Sequence, residues 1–321
     1  MKRIVSGLLA LALILTSALA TAHEGMWLPM LIKRLNYAEM QANGLNLTAE
    51  EIYDINNASI KDAIVSLGGF CTGEIISSQG LMLTNHHCGY GQIQKQSSME
   101  HNYLKEGFWA RSMDEELKNP GLFVEQLVYM EDVTNSLVNS GDKFKEIEAA
   151  LIEAKELDNP NLTYKVVPFF GNNQFFLLAT IKYNDVRLVG APPSSIGKFG
   201  ADTDNWVFPR HTGDFSLFRV YDENGNAFTP AQHLKVNIAP RSPGEFTMVF
   251  GYPGRTQEYL TAVEMDQLVN VENARRVEIR DVLLSIMDSE MRADAEVQLK
   301  YASKYARIAN GWKKWIGQIE G

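Results

Sequence analysis

Leu83-Thr84-Asn85-His86-His87-Cys88 reads as the end of a short apolar strand that delivers a histidine to a loop mouth, marked just beyond by Gly89 and Gly91. An imidazole titrates near neutrality, so a histidine held at such an edge is a candidate general base. Cys71 lies seventeen positions before Cys88, and these two are the only cysteines in the chain. In an oxidising compartment they have one possible pairing, which would anchor the turn carrying the histidine. Two buried free thiols are the alternative. A nucleophilic Cys88 reads poorly, because adjacent strand residues face opposite ways and the cysteine directly follows the base that would have to activate it. The same divergence argues against a metal shared by His86 and His87. No His-x-His or His-Glu-x-x-His spacing accompanies them, so no metal and no cofactor is expected.

Residues 1–22 carry Lys2 and Arg3, then an uncharged apolar stretch, then small residues at Ala18, Ala20 and Ala22. This is the pattern of a secretory signal peptide, and the apolar stretch is shorter than the roughly 20 residues a membrane-spanning helix needs. The mature chain is therefore expected in the periplasm or otherwise exported, without a membrane segment. Thirty basic residues stand against 39 acidic ones with no basic block, which argues against a nucleic-acid partner. About 300 mature residues can bury one large core or two smaller ones.

Downstream of the leader, residues 26–41 have apolar positions at helical spacing, and Thr48 with Glu51 reads as a capping box. From residue 63 the pattern changes to short segments rich in Ile, Val, Phe and Tyr, punctuated by glycine: 63–67, 73–77, 81–85, 122–129, 175–184, 185–189, 215–221 and 246–250. Such spacing predicts an antiparallel barrel or sandwich. Residues 141–157 are charged and helical, and read as an insertion. From Glu264 to Glu320 glycine is scarce and proline absent, which predicts one long helix or two stacked ones. The expected organisation is a signal peptide over 1–22, a mainly β unit over 23–264 and a helical unit over 265–321. Trp312, Trp315 and Ile316 form an apolar stripe with no packing partner evident in the sequence.

A general base of this kind needs a buried acid to fix its tautomer and to stabilise the imidazolium. Asp214 is the best candidate, because it opens the strongly apolar segment Phe215-Ser216-Leu217-Phe218-Arg219-Val220-Tyr221 and so stands at a sheet edge. Asp202 and Asp204 are rivals in a Gly-rich loop with no strand to hold them.

The Thr-x-x-His-Cys run resembles the way chymotrypsin-like peptidases present their histidine. Further segments carry a narrower resemblance: Gly69-Phe70-Cys71-Thr72-Gly73, residues 81–90, Asp202-Thr203-Asp204-Asn205-Trp206, residues 209–221 and the opening Glu24-Gly25-Met26-Trp27. Together they are similar to the bacterial exported serine dipeptidyl-peptidases of the dipeptidyl-peptidase 7 and 11 type, over essentially the whole mature chain. The resemblance implies a chymotrypsin-like double β-barrel interrupted by a helical domain, present here in incomplete form. It also implies an enzyme that removes dipeptides from peptides with a free N-terminus. On this likeness His87 is the general base, Asp214 its orienting acid, and Asn205 and Trp206 part of a clamp for the substrate's α-amino group. An ammonium held at a fixed distance from the nucleophile restricts cleavage to the bond after the second residue. A homodimer is implied for the full-length form.

The nucleophilic serine is absent from this reading. Ser77, Ser78, Ser194, Ser195 and Ser242 lack a Gly-x-Ser-Gly setting, and no such run occurs in the 321 residues. The family places its serine after the helical domain, so the chain reads as an N-terminal portion, expected to be inactive alone because a histidine cannot supply acyl transfer by itself. Two other readings stand beside this one. An exported chymotrypsin-like endopeptidase would cleave N-terminally blocked peptides, and a non-catalytic module would bind peptide amino termini without hydrolysis.

Overall fold

The computed structural model describes residues 26–254 and 260–321, so the leader and the Glu24-Gly25 part of the opening motif lie outside the described residues. Ten strands join in one sheet: β1 Ile64–Leu67, β2 Cys71–Ile75, β3 Leu81–Thr84, β4 Phe108–Trp109, β5 Leu117–Lys118, β6 Val124–Asp132, β7 Thr163–Phe169, β8 Gln174–Tyr183, β9 Asp185–Ala191 and β10 Ser216–Tyr221. Their order is β4-β9-β10-β3-β2-β1-β6-β8-β7, with β5 also on β9, and the pairings are antiparallel. β1 and β2 form a hairpin closed by Gly68 and Gly69 at φ +60° and +75°. Two successive residues in the left-handed region turn the chain with the strand twist, and glycine enters that region without a Cβ clash.

The main core fills one side of this sheet. Met82, Ile75, Val65, Leu188, Phe218 and Val220 are each at most 1 % exposed. Burying a side chain of this size contributes about 1.5–3 kcal/mol, which is what holds β3 and β10 in register. That register pairs Ser216 with Thr84 and Leu217 with Leu83, and so brings the residues just beyond both strands together.

Four longer helices accompany the sheet. α1 spans His86–Gln96, α2 Phe144–Asp158, α3 Ala274–Ala293 and α4 Ala295–Glu320. α2 lays Phe144, Ile147, Leu151 and Ile152 against Leu177 and Ala179, a face of i, i+3, i+7, i+8 spacing. α3 and α4 form an antiparallel hairpin whose turn is capped by Asp294, which accepts from the backbone N–H groups of Glu296 and Val297 at 2.7 and 3.2 Å. The Trp312–Trp315 stripe finds its partners within this hairpin. The Trp312 indole donates to Asp281 at 2.6 Å, and the Trp315 ring lies under the guanidinium of Arg280 at 4.3 Å. Indole surface taken up by hydrogen bonding and cation–π stacking need not seek an apolar partner. No helix among the described residues is long and apolar enough to cross a membrane.

Three expectations about local structure change. Residues 86–88 are the first turn of α1 and not the end of a strand, because Asn85 is the last extended residue before it. The segment 246–250 forms no strand. Among the described residues no neighbouring backbone supplies it a ladder, and Phe246 and Phe250 pack instead against the N-terminal helical turns around Ile32, Leu45 and Ile52. β7, which the sequence pattern did not disclose, is an edge strand of the sheet, where Pro168 is tolerated because an edge residue's missing N–H breaks no ladder.

Candidate active site

At the head of α1, Asn85 has extended backbone and makes no side-chain cap to its own helix. The first turn of any helix leaves N–H groups without intrahelical partners. Here Asp214 supplies the partner from across the β3–β10 pairing: its Oδ1 accepts the backbone N–H of His87 at 2.9 Å. Its Oδ2 meets the His87 ring Nδ1 at 2.6 Å. Asn85 completes the clamp, its Nδ2 donating to the Asp214 carbonyl at 3.1 Å and to Oδ2 at 3.3 Å. One carboxylate therefore caps a helix and fixes an imidazole.

The sequence pairing of His87 with Asp214 thus corresponds to direct contact between residues 127 positions apart. An ionised carboxylate can only accept, so Nδ1 carries the proton and the lone pair sits on Nε2. The His87 side chain is 68 % exposed, whereas that of Asp214 is 15 % exposed. The acid is sheltered, and the free nitrogen can be reached.

Burial pushes the Asp214 carboxyl up, but the hydrogen bonds from the His87 ring and backbone outweigh it, and the group lies below the ordinary aspartate value of 3.8. A carboxyl lowered by folding stabilises the fold fully above its unfolded value and loses that contribution as pH falls through its folded value. Melting temperatures of the native chain and of Asp214→Asn, compared from about pH 7 to about pH 2, are therefore expected to differ most at neutral pH and to converge below the ordinary aspartate range. A gap that persists unchanged into acid would contradict the assignment.

Cys71 and Cys88 are joined in a disulfide with Cα atoms 6.1 Å apart, which ties the start of β2 to the first turn of α1. The sulfurs and a His87 nitrogen lie within 4.8 Å of one another. Sulfur spent in a disulfide offers no thiolate to a metal.

Asn205 and Trp206 stand in a loop over 198–213 and make their polar contacts with α4. The Asn205 Nδ2 donates to Asn310 Oδ1 at 2.8 Å, and the Trp206 Nε1 donates to the Asn310 carbonyl at 3.1 Å. Trp206 adopts φ +60°, a left-handed conformation costly for a bulky residue and held here by those bonds. Asn310, the residue that carries both, has no signal in the sequence that sets it apart from Gln298 and Gln318, the other amides of its helix. The rival acids lie elsewhere. Asp202 pairs with Lys198 at 3.1 Å, and Asp204 is folded over Gly200. Among the described residues no serine hydrogen-bonds to His87; Ser77, for example, is occupied by the backbone N–H groups of Gln79 and Leu81.

The profile of the family described as peptidase S46 matches residues 22–321. The chain belongs to the peptidase S46 family. An Asp/Glu-specific dipeptidyl-peptidase of Capnocytophaga gingivalis is 47% identical over 95% of this chain and 46% of its own length. The dipeptidyl-peptidase 7 of Phocaeicola vulgatus is 44% identical over 97% of the chain and 47% of its own. Among solved structures, Porphyromonas endodontalis DPP11 in complex with the dipeptide Arg-Asp superposes with a TM-score of 0.86 at 43% identity, covering 91% of this chain and 46% of that one. The chain thus spans about half the length of the S46 relatives it matches.

Proposed function

We propose that these residues supply the base, the acid and the amino-terminus clamp of an exported serine-type dipeptidyl-peptidase. The observation that carries this reading is the His87 Nδ1–Asp214 Oδ2 contact of 2.6 Å on a side chain that is 68 % exposed. An imidazole so held accepts a hydroxyl proton at Nε2 and returns it to the departing amine, while the carboxylate stabilises the intervening imidazolium. The nucleophilic serine and its oxyanion hole are assigned to polypeptide outside these 321 residues. The sheet around β1–β3 and β10 is read as belonging to the first barrel of a chymotrypsin-like pair, and residues 1–22 as the signal that exports it.

Asn205 and Trp206 are placed in the clamp because the loop that bears them runs directly into Asp214. In this reading the Asn205 amide oxygen and the Trp206 ring face offer acceptor and π surface to an α-ammonium. Free-amine tripeptides beginning Arg-Asp are the ligands to titrate, since the Porphyromonas endodontalis relative was solved in complex with the dipeptide Arg-Asp. Calorimetry is expected to show binding that weakens at least about tenfold on N-terminal acetylation and to a similar extent in Trp206→Ala, with no dipeptide released by the chain alone. Equal affinity for free and acetylated peptides would remove the clamp. Cleavage of blocked peptides would favour an endopeptidase instead.

A further inference from the structure

His86, immediately before the candidate base, has no part in the proton relay, yet it is fully buried. Neither of its ring nitrogens meets a hydrogen-bond partner among the described residues, although the Pro192 carbonyl is near enough to favour the protonated ring. Buried polar rings are normally hydrogen-bonded, so an exception asks what else the ring does. Its neighbours answer. The Tyr90 ring meets it edge-on at 5.6 Å between centroids, one helical turn along α1. On its other side lies Gly197, so close that a Cβ there would stand 2.3 Å from the His86 Cγ and 2.4 Å from its Cδ2. The flat five-membered ring is a shim between helix and loop, and only glycine can lie against it.

Gly197 is where the 198–213 loop departs. The returning end is stitched to the same point: the Gly213 N–H donates to the Ile196 carbonyl at 3.0 Å, and the Thr212 hydroxyl donates to the Gly197 carbonyl at 3.2 Å. The residue after Gly213 is Asp214, which His87 holds. Two consecutive histidines of one helical turn therefore grip the two ends of a single loop. We propose that His86 is a positioning residue: by bearing Gly197 while His87 bears Asp214, it fixes the root of the 198–213 loop and hence where Asn205 and Trp206 stand relative to the base.

Burial lowers the affinity of the His86 ring for a proton, and the neighbouring His87 and Lys198 act in the same sense, against Asp214 and the Pro192 carbonyl. The positioning claim rests on the clamp reading only for what the loop does; the loop's placement is tested separately.

Gly197→Ala adds a methyl that the His86 ring cannot accommodate, and His86→Ala removes the ring. In proton–nitrogen correlation spectra of the labelled chain, with the Trp206 indole assigned through Trp206→Phe, each single variant is expected to shift that indole signal. Gly197→Ala is expected to weaken free-amine peptide binding about ten- to a hundredfold while the His87 Nδ1 proton signal persists. The double variant is expected to recover part of the loss, up to the level of His86→Ala and no further, because the vacated ring volume admits the methyl but no ring remains to bear the loop. An unmoved Trp206 signal in His86→Ala, or a double variant no better than Gly197→Ala, would overturn the proposal. Should Gly197→Ala fail to fold, the His86→Ala signal alone decides. If the native chain shows no preference for free amino termini, the clamp reading fails, and the Trp206 signal still judges the role of His86.

Discussion

Asp214→Asn is expected to lower kcat by about four orders of magnitude in the peptidase where these residues meet their nucleophile, with little change in KM. The amide keeps the size of the carboxylate and can still accept the His87 backbone N–H that Oδ1 takes at 2.9 Å. Its NH2 group, however, would then face Nδ1 across the contact now spanning 2.6 Å. A donor there forces the proton onto Nε2, the nitrogen that must be empty to act as a base. The imidazolium would also lose the negative charge that stabilises it. His87→Ala is expected to be comparably damaging, and the two changes together no worse than either alone, because residues acting as a unit do not lose rate additively. Steady-state kinetics on a chromogenic dipeptide substrate measure this. A loss smaller than about tenfold in Asp214→Asn would exclude Asp214 from the relay.

The same site shows what a sequence can and cannot disclose. His87 and Asp214 were legible because each borders an apolar segment of recognisable strand type, and antiparallel pairing of those segments brings their ends together. The backbone state of His86, His87 and Cys88 was not legible, since the residue that caps their helix, Asp214, lies 127 positions from His87 and leaves no local mark. For the same reason the carboxylate's second task, closing the first turn of α1, was invisible. β7 was hidden by Pro168, which suppresses the strand signal except where an edge needs no donor. The 246–250 segment misled in the opposite sense: its composition suits a strand, but strand formation requires a partner backbone, and its phenylalanines were taken up by the N-terminal turns. Asn310 and Gly197 carry no periodicity at all. Each matters through contacts with distant elements, the kind of information that only the folded chain contains.

The largest stability effect expected near the site is that of the Cys71–Cys88 bridge. It links residues with a sequence separation of 17, for which the loss of chain entropy in the unfolded state corresponds to about 3 kcal/mol. Within that span lie β2, β3 and the turn into α1, held also by the Thr84 hydroxyl donating to the Thr72 carbonyl at 2.7 Å. The folded contacts therefore survive without the bridge, and its removal acts mainly by enlarging the unfolded ensemble. Cys71→Ala with Cys88→Ala, which leaves no reactive thiol, is expected to lower the melting temperature by roughly 6–12 °C, given ~2–4 °C per kcal/mol for a chain of this order of size. Reductant should reproduce that shift in the native chain and produce none in the double variant. The His87 Nδ1 proton signal should persist at low temperature, because Asp214 holds the ring from the β10 side whether or not sulfur holds it from β2. If it vanished while the sheet remained folded, the bridge would be orienting the imidazole as well as restraining the chain, and Asp214 would not suffice to aim the base.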